Sequence, residues 1–318
     1  MLDNFIFSVN IMLPMIILVF LGIYLRKVGF INKYFLSGAN KIVFYVAIPI
    51  LIFSNLFRVD IAQFTDFSFV VFVFLYTVGA ILVIWGGAYF AFRKKAPNVI
   101  GAFTQGSIRG NAGIVALPLV LSIMGYENAA LGILAVAILI PIYNVASVTV
   151  LVIHSEKTTG ISPKALVFGI LKNPPIIATV SGLVIAFFSI QLPPFVETTV
   201  FQLSGITTPL ALMCLGGGMT FEGFGDRFKY SFMSSIIKVF LLPLGSGILA
   251  YLYGFRGDTL AVLILIQGVP SAVAGYVMVS EIGGDLYVAA TNVLLTTIMS
   301  AFSLTLLIFV LRTLGMIA

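Results

Sequence analysis

The chain has 318 residues, 60% of them hydrophobic and only 9% charged, with a mean hydropathy of +1.17; soluble domains carry roughly 25% charged residues, so that class is excluded. Apolar runs of about 20 residues recur from end to end, long enough to cross a hydrocarbon core of roughly 30 Å as helices; barrel strands would be half as long and would alternate. The net charge of +6 does not mark a nucleic-acid binder, because the lysines and arginines sit in short gaps between apolar runs, where they orient a membrane protein.

The first run, in "MLDNFIFSVNIMLPMIILVFLGIYLRK", starts acidic and is followed rather than preceded by basic residues, so it reads as a first span and not a cleaved signal peptide. Charges and turn formers then punctuate spans near 5–25, 36–57, 67–92, 98–124 and 128–153. Five more follow near 173–191, 196–220, 229–253, 259–280 and 286–312. The expected fold is therefore an all-α integral membrane protein of ten spans. With five spans per half, related halves would run inverted to one another, residues 1–155 against 160–318. Two proline pairs hint at that relation: Pro14 and Pro175 are 161 positions apart, and Pro49 and Pro209 are 160 apart.

Basic residues predict the orientation. Arg26, Lys27, Lys33, Lys41, Arg93, Lys94, Lys95, Lys157, Lys164, Lys172, Arg227 and Lys229 place 12 charges on one side, against Arg58, Arg256 and Arg312 on the other. The richer side is expected to face the cytoplasm, with both termini outside. The single cysteine, Cys214, excludes an internal disulfide and reads as a small core residue. His154, the only histidine, ends an apolar run and reads as a solvated interface residue.

Two spans are interrupted. Between Lys95 and Glu127 lie 31 residues whose only charge is Arg109; as one straight helix at about 1.5 Å per residue they would overrun the hydrocarbon core by half. Gly110, Asn111 and Gly113 disfavour a continuous helix there, and Pro118 removes a donor from the far half. Span 9 carries the matching device, "LIQGVPSAVAGYVM", with Gln267, Gly268, Pro270, Ser271 and Gly275 near its middle. Unwound backbone is tolerated at membrane depth only around a cavity or within protein, and paired interruptions of this kind point to a transporter's binding site. Half-helix N-termini exposed at such breaks attract anions. Simple kinks remain the alternative reading.

Polar residues of neighbouring spans are candidates for the same cavity: Tyr143 and Asn144 after Pro141, and Asn292 with Thr291 in span 10. Lys238, inside span 8, is either structural or a secondary charge. No aspartate or glutamate lies mid-span, so machinery for carrying sodium or protons is not evident, and neither a metal nor a cofactor is expected. An anion facing Arg109 fits better. An enzyme is disfavoured by the lack of HExxH, GxSxG or paired intramembrane carboxylates.

"GNAGIVALPL" in span 4 and "PSAVAGYVMVSEIGGD" in span 9 resemble the auxin efflux carrier family, which includes short bacterial malate or malonate permeases. The resemblance covers nearly the whole chain. It implies an inverted five-plus-five fold similar to bile-acid sodium symporters, with spans 1, 2, 6 and 7 as scaffold and spans 3–5 and 8–10 as a moving domain. It also implies that spans 4 and 9 cross at their breaks, elevator-type alternating access, and a homodimer formed through the scaffold. In the family an asparagine in the span 4 break contacts the substrate carboxylate, and Asn111 stands at that position; polar residues of span 5 line the same site, which draws in Asn144. The chain departs from plant carriers in having only a short segment, about 154–172, between spans 5 and 6. It departs from sodium-coupled relatives in lacking a glutamate in the span 9 break, where Gln267 is the nearest polar side chain.

The expected function is thus secondary transport of a small organic anion. Substrate contacts are expected from Asn111, Arg109, Gly110, Gly113, Asn144, Tyr143, Gln267, Pro270, Ser271 and Asn292, with Pro118, Gly268 and Pro270 breaking the helices. A ligand sensor on the same fold, a sodium-coupled anion symporter and an open channel are the competing readings.

Overall fold

A computed structural model describes residues 2–58, 67–94, 97–116, 119–120, 129–155, 163–218 and 224–316. It is helical, and among these residues the only β-type contact is one isolated bridge between Gly110 and Ser271.

Helix α1 covers Leu2–Lys27 and α2 covers Lys33–Leu56, the latter with a π turn at Val43–Ala47. Asn32 starts α2 by accepting the Phe35 backbone N–H at 2.9 Å. Helix α3 is Phe67–Phe92, and α4, Pro97–Ile108, is followed after the break by a π turn at Ala112–Ala116. Pro118 lies outside the described residues, so its expected part in the break has no structural counterpart here. Helix α5 is Ala129–His154, α6 is the short Pro163–Leu171, and α7 is Pro174–Phe187. Helix α8, Pro194–Gly218, bends at Ile206 just ahead of Pro209. Helix α9 runs from Phe224 through a π turn at Ile237–Leu241 to Tyr253, where Gly254 ends it at φ +109°. Span 9 is α10, Gly257–Gly268, plus α11, Ala274–Ile282, and span 10 is α12, Leu286–Thr313, capped by Asp285.

Six of the described helices, Lys33–Leu56, Phe67–Phe92, Leu131–His154, Pro194–Gly218, Arg227–Tyr253 and Leu286–Thr313, are each long and apolar enough to cross a bilayer. Helices α4 and α10 have 12 residues each, about 18 Å at 1.5 Å per residue, and reach only half-way. The outward faces of the bundle carry bare apolar side chains, among them Phe20 at 62% exposure and Leu252 at 74%; around a soluble protein these would be costly, and in hydrocarbon they are solvated. The chain is a multi-pass integral membrane protein.

Helices α1 and α8 pack backbone on backbone: a Cβ added to Gly216 would lie 2.0 Å from the Val19 carbonyl oxygen, and one on Gly22 would lie 2.3 Å from that of Met213. Small residues allow this approach where lipid supplies no hydrophobic drive. Helix α2 packs on α7 and on α8, while α3, α4 and α5 pack on one another. Arg58, at the end of α2, pairs with Glu197 at the start of α8 and lies over the Phe201 ring at 4.5 Å. Cys214 is buried and free. His154, expected in solvent, is only partly exposed: its Nε2 accepts from Trp85 Nε1 at 2.8 Å, joining α5 to α3.

Candidate functional site

Span 4 is truly interrupted rather than kinked. Helix α4 ends at Ile108, the π turn begins at Ala112, and the non-helical residues Arg109, Gly110 and Asn111 meet the break of span 9. The Asn111 N–H donates to the Pro270 carbonyl at 2.9 Å, and the Ala272 N–H donates to the Arg109 carbonyl at 2.9 Å. These bonds flank the Gly110–Ser271 bridge and give backbone groups freed from both helices partners in a place without water. Gly110 and Ser271 are 161 positions apart, the offset already seen between Pro14 and Pro175.

Beside this pairing lies a cavity of about 60 Å³. From span 4 it is lined by Arg109, Gly110, Asn111 and Gly113, from span 5 by Tyr143 and Asn144, and from the start of span 9's second half by Ala272 and Val273. The opposite wall comes from spans 2 and 7: Leu51, Asn55, Thr207 and Thr208. Six of the residues expected from sequence therefore share one cavity. Asn111 Nδ2, Arg109 Nε and Asn144 Oδ1 are buried and have no hydrogen-bond partner among the described residues. An unmet buried donor costs about 1–3 kcal/mol, and Asn111 and Arg109, which each carry one, both line this cavity.

Arg109 also has a bracing role. Its Nη1 reaches the Tyr143 carbonyl at 3.4 Å and Ser147 Oγ at 3.3 Å, which holds the break against α5. Asn144 Nδ2 donates to Thr179 Oγ1 at 3.1 Å and so ties α5 to α7. Gly113 does not unwind the chain. It lies within the π turn, where a Cβ would come within 2.8 Å of Asn55 Nδ2, so its role is close approach.

Four expected contacts lie elsewhere. Gln267, in the last turn of α10, accepts from Tyr143 Oη at 3.2 Å and donates to Thr77 Oγ1 at 3.4 Å, behind the cavity wall. Pro270 contributes its carbonyl to the backbone pairing. Ser271 donates its hydroxyl to the Gly106 carbonyl at 2.6 Å and takes Thr296 Oγ1 on its N–H at 3.1 Å. Asn292 binds Ser234 Oγ at 2.8 Å and Ser235 Oγ at 3.3 Å, against α9. Ser271 and Asn292 line a separate gap of about 10 Å³ on the far side of the pairing, with Gln105 and Arg109. Gln267, Ser271 and Asn292 commit their polar groups to bonds between helices, and Pro270 commits its carbonyl to the backbone pairing, a distinction sequence position does not reveal. Gly268 closes α10 against Leu304, Leu307 and Pro243. Thr291 is buried in α12 and lines neither space.

Lys238 is fully buried in the π turn of α9 and does not snorkel: its Nζ donates to the Gln267 carbonyl at 2.6 Å, at the C-terminal end of α10. A Cβ on Gly110 would lie 3.2 Å from that Nζ, so the ammonium sits directly behind the paired breaks. Among the described residues no carboxylate pairs with either Lys238 or Arg109. Asn55, Thr207 and Thr208 were not expected from sequence. Their signal was weak: Thr207 and Thr208 precede Pro209, the partner of Pro49 in the proline pairs, and Asn55 interrupts an apolar run.

A helical membrane protein with two half-crossing helices paired at their breaks, around a buried polar cavity, belongs to the architecture of carriers. The membrane transport protein family matches residues 7–308, and the chain belongs to it; this is the auxin efflux carrier family that the two motifs resemble. An uncharacterised transporter of Methanocaldococcus jannaschii is 25% identical over 299 residues, covering 92% of this chain and 94% of the relative. An uncharacterised transporter of Methanothermobacter thermautotrophicus is 25% identical over 301 residues, covering 93% and 96%. The family and these relatives are transporters, not enzymes.

Proposed function

We propose that this protein is a secondary transporter that carries a small organic carboxylate across the cytoplasmic membrane by elevator-type alternating access. The observation that carries the reading is the pair of unmet buried donors, Asn111 Nδ2 and Arg109 Nε, at a cavity beside the paired breaks. A carboxylate supplies the acceptors they lack, and charge-assisted bonds are the stronger kind. The N-terminus of α11 opens on the same cavity and Lys238 stands behind it, so the local field favours negative charge. No buried carboxylate competes among the described residues except Asp285, which Arg227 approaches at 3.4 Å.

The cavity lies where spans 2 and 7 face spans 4, 5 and 9, the junction at which a moving domain of spans 3–5 and 8–10 would slide along a scaffold of spans 1, 2, 6 and 7. The near-equal offsets, 161 for the bridged pair and for Pro14 and Pro175 and 160 for Pro49 and Pro209, support an inverted repeat of five plus five spans. A volume of about 60 Å³ is room for roughly two waters, or for a carboxylate group and little more. The remainder of the substrate therefore requires the scaffold wall, Asn55 with Thr207 and Thr208, to move aside. A homodimer through the scaffold and a cytoplasmic basic side, with both termini outside, complete the reading.

Uptake of labelled carboxylates into proteoliposomes tests it. Saturable uptake that Arg109→Ala abolishes and Asn111→Ala weakens is expected; uptake indifferent to both variants would falsify the site.

A further inference from the structure

Between α3 and α9 lies a slot of about 670 Å³, more than ten times the volume of the cavity at the breaks. Two contacts join the helices toward its ends. Tyr76 Oη donates to the Leu242 carbonyl at 2.5 Å, and Phe92 packs edge-on against Tyr230 with ring centroids 4.9 Å apart. Tyr76 and Phe92 are 16 residues apart, about 24 Å of helix. Between them α3 presents Gly79, Ala80, Gly87 and Ala91, and α9 presents Ile237 and Leu241. A Cβ added to Gly79 or Gly87 would meet no protein atom within 4 Å. Small residues in membrane helices ordinarily admit a neighbouring helix, yet no described helix of this chain takes the space.

We propose that the slot holds an acyl chain of an anionic phospholipid. Its rim faces hydrocarbon, with Leu75 62% exposed and Val83 74% exposed. The Tyr76–Leu242 and Phe92–Tyr230 contacts join the helices across it, which suits a single hydrocarbon chain better than a helix of about 10 Å diameter. The end at Phe92 and Tyr230 is basic: Arg93 and Lys94 follow Phe92, and Lys229 precedes Tyr230. All three are exposed, and none forms an ion pair among the described residues, whereas nearby Arg227 is engaged with Asp285. A phosphate headgroup at that end is matched by these exposed cations, of which Arg93 and Lys229 lie over aromatic rings and none has a carboxylate partner among the described residues, and the apolar slot leads away from it toward the membrane centre.

The test titrates the detergent-purified full chain with phosphatidylglycerol or phosphatidylcholine of identical acyl chains and counts bound lipid by native mass spectrometry. Wild-type protein is expected to retain one phosphatidylglycerol at concentrations where phosphatidylcholine is lost. Lys94→Gln with Lys229→Gln is expected to bring phosphatidylglycerol down to the level of phosphatidylcholine, roughly fivefold per cation. Gly79→Leu with Gly87→Leu is expected to lose both lipids. Equal retention of the two lipids by wild-type protein overturns the proposal, and so does undiminished retention by a monodisperse glycine variant. The charge variant alters only exposed side chains, so it decides the matter even where the glycine variant does not fold.

Discussion

At the break in span 4, Asn111 lines the cavity and carries a buried amide nitrogen without a partner among the described residues; 161 positions on, in the break of span 9, Ala272 offers a methyl group. Arg109 lines both the cavity and the gap behind it, while Pro270, at the same offset, has no polar side chain to offer. Ser271 does carry a hydroxyl, but spends it on the Gly106 carbonyl at 2.6 Å. The two breaks thus share their backbone pairing and divide the side-chain work. Span 4 supplies unmet donors, and span 9 supplies the clamp and a helix N-terminus.

That division can be broken most sharply at Arg109, which belongs to both roles. Arg109→Ala is expected to abolish uptake and also to lower the thermal midpoint, because the break loses its brace to Tyr143 and Ser147; loss of uptake at unchanged stability would reduce the residue to a substrate contact. Asn111→Ala comes next. Loss of one bond to a charged group is worth about 1.5–3 kcal/mol, so substrate affinity by thermal shift is expected to fall roughly ten- to a hundredfold while ligand-free stability holds. The mirror experiment is Ser271→Ala. It leaves the Gly106 carbonyl without its donor and is expected to cost about 1–2 kcal/mol of stability, seen as a lower melting midpoint, with KM unchanged. A large KM change there would mean that span 9 contacts substrate after all. The smallest effect is expected from Lys238→Met, which removes a buried cation that does not line the cavity. A rise in KM of roughly threefold through the lost field is expected, with little change in kcat.

Much of this was legible in the residues themselves. Six helices of membrane-crossing length followed from run length and charge punctuation, and the break after Ile108 followed from arithmetic: 31 residues are too many for one crossing, and Gly110 and Asn111 mark where helix gives way. Asn111, Arg109 and Asn144 were reachable because polar groups at such breaks need a reason. Gln267 and Asn292 looked equivalent by the same logic, and only their partners, Tyr143 and Thr77 for one and Ser234 and Ser235 for the other, show them serving packing.

By itself, then, the sequence determined that this is a membrane protein, where its long helices run and where two of them fail, though not the short helix Pro163–Leu171, because hydropathy, length and backbone propensity are local properties. Tertiary structure decided which polar atoms are satisfied and which face a cavity. Asn55, Thr207 and Thr208 share the cavity with Asn111 from helices distant in the chain. Whether a buried donor is structural or waits for a ligand depends on whether an acceptor lies within about 3 Å, and that is set by the neighbours that folding brings.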